Sequence, residues 1–393
     1  MALDFRTKNA LLLAKIEAVT GTEEAPTPGA DAIRIRDAIG FAPNFANFEE
    51  GYVQESISQA APIVAGGGVS FRLPVWLTGA PTPGTTAPDW GTLLKGCAFG
   101  ETKTAAALTG TSTAVTASSI TLAAGSSAVD NAYRGMPIDG TGGSISGQRR
   151  FITSYVGSTK VANVFPDWTT PSGTPGYSIP ANALYTPLTL SEKTLTIWGY
   201  QHDSVQANQS RRRRGKGSMG TGTISIRTGQ PVGLDLTFTG QLPASPDDVT
   251  RPSAATYVGS TPEPFLNATA NLGSAPVKFN DFSIDFGNRV AQYNDPAQAF
   301  GQDTAEVTFR SMTGRIVPCL THTATRDAFA DWIAQTPRAL VLAWGSATGK
   351  KISLLMPALR YTGNEPGDVD GYQVEGIPFR ATGLDNELLI CVS

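Results

Sequence analysis

The stretch RRRRGKGSMG, Arg211 to Gly220, combines two chemical signals. Its arginines and lysine are the residues with which proteins meet nucleic-acid phosphates. Its glycines, Gly215, Gly217 and Gly220, have the G-x-G-x-x-G spacing that lets a backbone approach a pyrophosphate. The phosphate reading needs a strand before the motif and a helix after it, because the helix N-terminus holds the anion. Here the glycines lead into TGTISIRTG, where Ile224 and Ile226 alternate with Thr223 and Ser225 as in a strand. No nucleotide site is expected. In an extended run Arg211 and Arg213 point one way and Arg212 and Arg214 the other, which makes a charged rod and not a basic stripe. The net charge is −3, so the rest of the chain is still more acidic and is no general polyanion binder. Arg211, Arg212, Arg213 and Arg214 are read as a basic hairpin that meets solvent or the acidic groups of a neighbouring subunit.

Catalytic constellations are poorly supported. The histidines are His202 and His322, too few for a zinc cluster and without triad partners at recognisable spacing. Asp247 and Asp248 fall in a Pro-rich segment and read as solvating acids. Asp368 and Asp370, in NEPGDVDG, lack the full spacing of a calcium loop and read as a turn. Cys97, Cys319 and Cys391 form no framework and are expected to be small, buried and reduced. No catalytic residue, metal or cofactor is expected, and the chain is read as a non-enzyme.

Charged residues make up 16% of the 393 positions, below the usual share of about 25%, so the surface must be rich in Gly, Thr, Ser and Ala. Such a surface suits a protein covered by copies of itself. The opening MALDFRTKNALLLAKIEAV has an apolar core too short for a secretory signal, and no stretch approaches a membrane span. Folding in a cytoplasm is expected.

The elements that must position any site recur. In GGGVSFRLPVWLTG, Val69, Phe71, Leu73, Val75 and Leu77 share one face of a strand. A helix follows, with Trp90, Leu93, Leu94 and Cys97 at helical spacing. In the back half TAEVTFRSMTG reads as the strand, with Ala305, Val307 and Phe309 on one face. The next helix carries the stripe Phe329, Trp332 and Ile333, with Thr325 as cap and Pro337 as stop. Each helix feeds a strand ending in Trp-Gly (Trp198-Gly199, Trp344-Gly345), and each half closes on a strand ending in Thr-Gly (Gly240, Gly383). The ordered set points to duplication. The expected organisation is a first unit of residues 1–102 plus 187–240, an inserted small β domain at 103–186, a linker at 241–276 and a second unit at 277–393. Aperiodic segments around 44–67 and 289–303 are read as functional or interface loops.

The segments NALLLAKIEAVTGTEEAPT, VAGGGVSFRLPVWLTG, APDWGTLLKGCAFGET, GTISIRTGQPVGLDLTFTG, FSIDFGNRV and TRDAFADW…ALVLAWG resemble the major tail tube protein of long-tailed bacteriophages. The resemblance covers nearly everything outside 103–186. It implies a mainly β fold: duplicated tail-tube β-sandwich units, each with one flanking helix, the insert being a small all-β module on the tube exterior. It further implies a virion structural protein, assembled in the host cytoplasm, that polymerises as stacked rings into the tail tube. Three duplicated chains would complete a pseudo-sixfold homotrimeric ring. About two dozen inner strands at ~4.8 Å spacing and ~40° tilt close at a backbone diameter of roughly 48 Å. The implied partners are the chain itself and the tape-measure, tail terminator and tail-tip proteins, with genomic DNA passing through without specific binding and no membrane. A carbohydrate-binding or glycan-degrading β-sandwich is the alternative reading.

A conduit for DNA needs a negative or neutral polar lumen, because a basic one would hold DNA through counterion release. Polar residues alternating with core residues supply the candidates Asp235, Asp285 and Glu306. The loop Asn44 to Gly68 carries Phe45, Phe48, Tyr52 and Val53 outside any clear periodic pattern, and is expected to be covered by the ring above or below.

Overall fold

The computed structural model describes residues 5–393 apart from 54, 59, 60, 207 and 274. The chain is mainly β. Its first half contains β1 (Phe5–Ile16), β2 (Gly40–Phe48), β3 (Ile63–Trp76), helix α1 (Gly91–Lys95), β4 (Phe99–Thr104), β5 (Asn182–Pro187), β6 (Leu195–Asp203), β7 (Gln209–Arg227) and β8 (Gly233–Gln241). The segment expected to be a linker is partly ordered as β9 (Asp247–Thr250) and β10 (Thr269–Leu272). The second half then runs β11 (Phe279–Asp285), β12 (Asn288–Asn294), β13 (Gln302–Arg310), β14 (Thr313–Pro318), α2 (Ala328–Ala334), β15 (Arg338–Trp344), β16 (Ile352–Tyr361), β17 (Glu365–Val369), β18 (Tyr372–Ala381) and β19 (Leu389–Val392).

One antiparallel order occurs twice. In the first half it is β1-β6-β7-β8-β3-β2. In the second it is β10-β15-β16-β18-β14-β11. Alternation explains why each order folds back as a sandwich. Phe71, Leu73, Leu234, Leu236, Phe238 and Ile224 point inward in the first half, and Phe282, Ile284, Ile316, Ile377 and Phe379 in the second, all fully buried in one core. The two halves meet through a seam. β7 is long enough to pair with β6 at its start and with β8 further on, and its outer edge takes β11, Thr223 opposite Asp285 and Arg227 opposite Asp281.

Several expectations are corrected. The strand that feeds α2 is β14; TAEVTF belongs to β13, which pairs with β12 as a projecting hairpin, so Ala305 is buried but Phe309 is exposed. Helix α2 is capped by Asp327, whose carboxylate accepts from the Ala330 N–H at 2.9 Å, and not by Thr325. Its expected core stripe faces outward at Phe329 and Ile333, while Trp332 is half-buried and Ala328 and Asp331 are the buried residues. Cys97 and Cys391 are buried, but Cys319 is exposed.

The insert is not an appendage on one unit. Its sheet of seven strands, within residues 108–179, grows from a stem in which β4 and β5 pair, Thr104 opposite Asn182. β5 in turn pairs with β19, and β19 with β16, so the stem extends the sheet of the second half. The insert core, including Ile138, Phe151 and Ile152, continues into Leu184, Val341, Leu355 and Leu389. Excision of residues 105–181 with a short Gly/Ser closure therefore uncovers that apolar face. At about 1.5–3 kcal/mol per large side chain returned to water, the excised protein should lose several kcal/mol and precipitate or melt far earlier. Scanning calorimetry of the two proteins checks this, and an unchanged melting temperature contradicts it.

Candidate functional site: a polar sheet face, its open edges and two arms

Seam and alternation together produce one continuous eight-strand sheet, β2-β3-β8-β7-β11-β14-β18-β17. Its inner side is the core described above. Its outer side carries Arg72, Asp235, Thr237, Thr221, Thr223, Ser225, Asp281, Ser283, Asp285, Thr313 and Arg315, because each alternates with a buried residue on its strand. Asp235 and Asp285 thus share a face and flank Thr223 in the ladder. Glu306 does not: it lies on β13, opposite Ala291, in the projecting hairpin. The face is balanced and not acidic. Arg36 pairs with Asp235, Arg227 with Asp281 (3.4 Å) and Arg315 with Glu365 (2.9 Å), and the Thr223 hydroxyl donates to Asp285 at 3.5 Å.

Two edges of this sheet have no partner strand among the described residues. β2 pairs only with β3, and β17 only with β18. Each carries a proline, Pro43 and Pro366, which removes one donor and discourages indiscriminate pairing.

Both long aperiodic segments prove to be β-hairpin arms. Arm 1 is the outer half of β2 and β3, Phe48 opposite Ile63, with its tip at 49–62. Phe45 and Phe48 are therefore strand residues and not loop residues. Arm 2 is β12 and β13, with its tip at 295–301. The hydrophobic residues of arm 1 defied a periodic reading because its outer half, with Phe48, Ile63 and Val64 exposed, has no core face. Phe48 (62% exposed), Tyr52 and Val53 stand free, whereas Phe45 meets Phe300 edge-on at 5.2 Å. Gln54, Gln59 and Ala60 of the arm 1 tip lie outside the described residues.

Arm 2 lies across the first half. Val290, Ala305 and Val307 pack on Ala98 and Met219, and the Asn288 amide donates to the carbonyls of Cys97 (2.9 Å) and Gly220 (3.0 Å). This contact accounts for one glycine of the G-x-G-x-x-G pattern. At Gly217, whose φ is +54°, a Cβ would stand 2.8 Å from the Thr304 methyl of arm 2.

The arginine run finds acidic partners, and they belong to its own chain. β9 pairs with the start of β7, which sets Asp248 on Arg211 (3.0 Å) and Asp247 on Arg212 (2.6 Å). Arg214 reaches Glu23 at 3.4 Å. The guanidinium of Arg212 covers the Trp198 ring at 4.8 Å and that of Arg213 the Phe41 ring at 5.6 Å. The hydrogen bond from Arg212 holds the Asp247 carboxyl below its usual pKa. His202 is buried against Ser210 (2.7 Å), and burial together with nearby Arg251 lowers its pKa. Among the described residues no group of three or more His, Cys, Asp or Glu could hold a metal ion.

The sheet thus has one polar face, two edges without a partner strand among the described residues and apolar arms that reach beyond it, and ion pairs tie its strands together. The chain belongs to the phage tail tube protein family, whose family model matches residues 7–381. A comparison with curated proteins gives no match. The chain is accordingly a structural component of the phage tail.

Replacing Asp247 by Asn should cost roughly 1 kcal/mol or less at pH 7, because the pair is partly exposed. A carboxyl with a lowered folded pKa stabilises above its unfolded value, near 4, and ceases to do so as pH falls through the folded value. The gap between wild type and Asp247→Asn in urea melts should therefore close as pH is lowered from about 4 to the acid limit of the native fold. A gap that persists at the lower limit contradicts this account of the pair.

Proposed function

We propose that three copies of the chain close into a pseudo-sixfold ring, that rings stack into the tail tube, and that the polar sheet face lines a bore through which DNA passes. The observation that carries this reading is the β7–β11 seam. It joins two four-stranded sheets edge to edge inside one chain, and leaves β2 and β17 as the edges for repeating the join between chains. Three such eight-strand sheets supply the two dozen strands of a closed barrel, which removes every edge. The duplicated strand order supports threefold chemistry with sixfold shape.

The lining suits passage through the neutral polar side of the expectation of a negative or neutral lumen. Arg36, Arg227 and Arg315 are held by Asp235, Asp281 and Glu365, and many of the remaining positions are Ser and Thr. Phosphate meets compensated charge and hydroxyls, so few counterions are released and DNA is not retained. Four exposed aromatics, Phe48, Tyr52, Tyr293 and Phe309, lie on the arms and not in a groove beside paired acids, which favours assembly over the carbohydrate-binding reading.

Sedimentation and negative-stain microscopy of the purified protein test the ring: annular particles of three chains are expected, and rings of six chains or single small particles overturn it. The lining has its own test. Tubes of the Thr221→Lys, Thr223→Lys, Thr237→Lys variant should retain short duplex DNA with a steep salt dependence, whereas wild-type tubes retain none. Equal retention by both would remove this face from the bore.

A further inference from the structure

Within one chain, arm 2 shows how an arm is received. Its tip residue Phe300 sits edge-on against Phe45 at the base of arm 1, and the Phe300 carbonyl accepts from the Gly67 N–H at 3.0 Å. Beside it, the Gln241 amide donates to the Gln302 carbonyl at 2.8 Å, and Leu242, just past the end of β8, is only 8% exposed. Gly66 accommodates the contact, since a Cβ there would stand 2.7 Å from the Phe300 oxygen.

The second half offers the same ground, uncovered. β18 occupies the place in its sheet that β8 occupies in the first, and just past its end Leu384 is 93% exposed. At the base of arm 2, on its return strand β13 opposite Arg289, Phe309 is exposed. Arm 1 in turn is an arm without a receiver. Ile63 and Val64, at the start of its return strand as Phe300 precedes that of arm 2, are half or more exposed, as are Phe48 and Tyr52. One chain thus holds an occupied arm site, an empty arm site and an unreceived arm. The receiver cannot be the chain's own second half, because arm 1 leaves the sheet at the β2 edge, and the second half lies on the far side of β3, β8 and β7.

We infer that arm 1 docks on the second half of the adjacent copy in the same ring, with Ile63 and Val64 against Phe309 and Leu384 of that copy, and not on the ring above or below. The occupant is a second copy of this chain, because the in-chain contact is the template and the β2 edge that carries arm 1 is the edge at which the next copy joins. The inference rests on the ring reading and adds to it the element that fixes each neighbour's orientation. Arms and sites then alternate around the ring, each arm tip resting on the base of the next arm. A sheet edge alone is tolerant of register slips, and a side-chain anchor at each join makes the register unique.

The test uses the full chain with Cys319→Ser, so that the remaining native thiols, Cys97 and Cys391, are buried. Val64→Cys and Leu384→Cys are added, and assembled protein is treated with a short bismaleimide. Leu242→Cys with Phe300→Cys serves as the in-chain control and should cross-link without raising the mass. The inference predicts covalent species of two and three chains and none larger, because the links close on themselves after three. Ladders beyond three chains mean that the arm reaches an adjacent ring, and overturn it. Absence of cross-links in particles that microscopy shows to be rings overturns it as well, while leaving the ring intact. Single uncross-linked particles with no rings defeat the ring reading itself, and the arm placement with it.

Discussion

Everything in this molecule depends on how it deals with unpaired strand edges. A free sheet edge presents a row of N–H and C=O groups that pair indiscriminately unless they are covered. At the β7–β11 seam the chain covers one pair of edges internally, using the outer edge of a strand whose other side is already held by β8. The same geometry leaves β2 and β17 open on opposite ends of the eight-strand sheet. Pro43 and Pro366 each remove a backbone donor from these edges and discourage indiscriminate pairing.

Side chains add what a backbone edge cannot supply, which is selectivity. The aspartates of β9 draw the segment joining the halves onto the arginines of β7, so the link is strapped to the first half and not left loose. Arm 2 crosses the first half over glycines and small residues that let its backbone approach closely, and Asn288 satisfies two carbonyls there. The stem β4–β5 and the insert core brace the second half. Each of these contacts joins parts distant in sequence, so the two halves hold a fixed relation before any copy of the chain is added.

The sequence showed its periodic elements and hid its long-range ones. Alternation at Val69, Phe71, Leu73 and Val75 disclosed β3 and its buried face, and the recurring strand and helix segments disclosed duplication, because these signals are local. Asp235 and Asp285 were placed on a shared polar face by the same alternation. Arm 1 residues such as Phe48 were unreadable, since a hairpin tip without a core face has no hydrophobic period, and Phe309 had the period of a buried face on an arm that leaves it exposed. Glu306 lies with them, on an arm and not on the sheet that carries Asp235 and Asp285. The exposed stripe Phe329 and Ile333 had the period of a buried face, and sequence cannot say whether a neighbouring chain or the chain's own core covers it. Asp247 and Asp248 looked like solvated acids because the ladder that sets them on Arg212 and Arg211 spans a separation that no local pattern reports.

The most direct measurement is amide hydrogen exchange on the same protein before and after assembly. If the seam is repeated between copies, the outward-facing amides within Gly40–Phe48 and Glu365–Val369, those not bonded to β3 or β18, exchange freely in the dispersed chain and become strongly protected in rings, while the ladder amides of Thr223–Arg227 and Asp281–Asp285 are protected in both. Unchanged exchange at β2 and β17 on assembly would contradict the claim that these edges join one copy to the next.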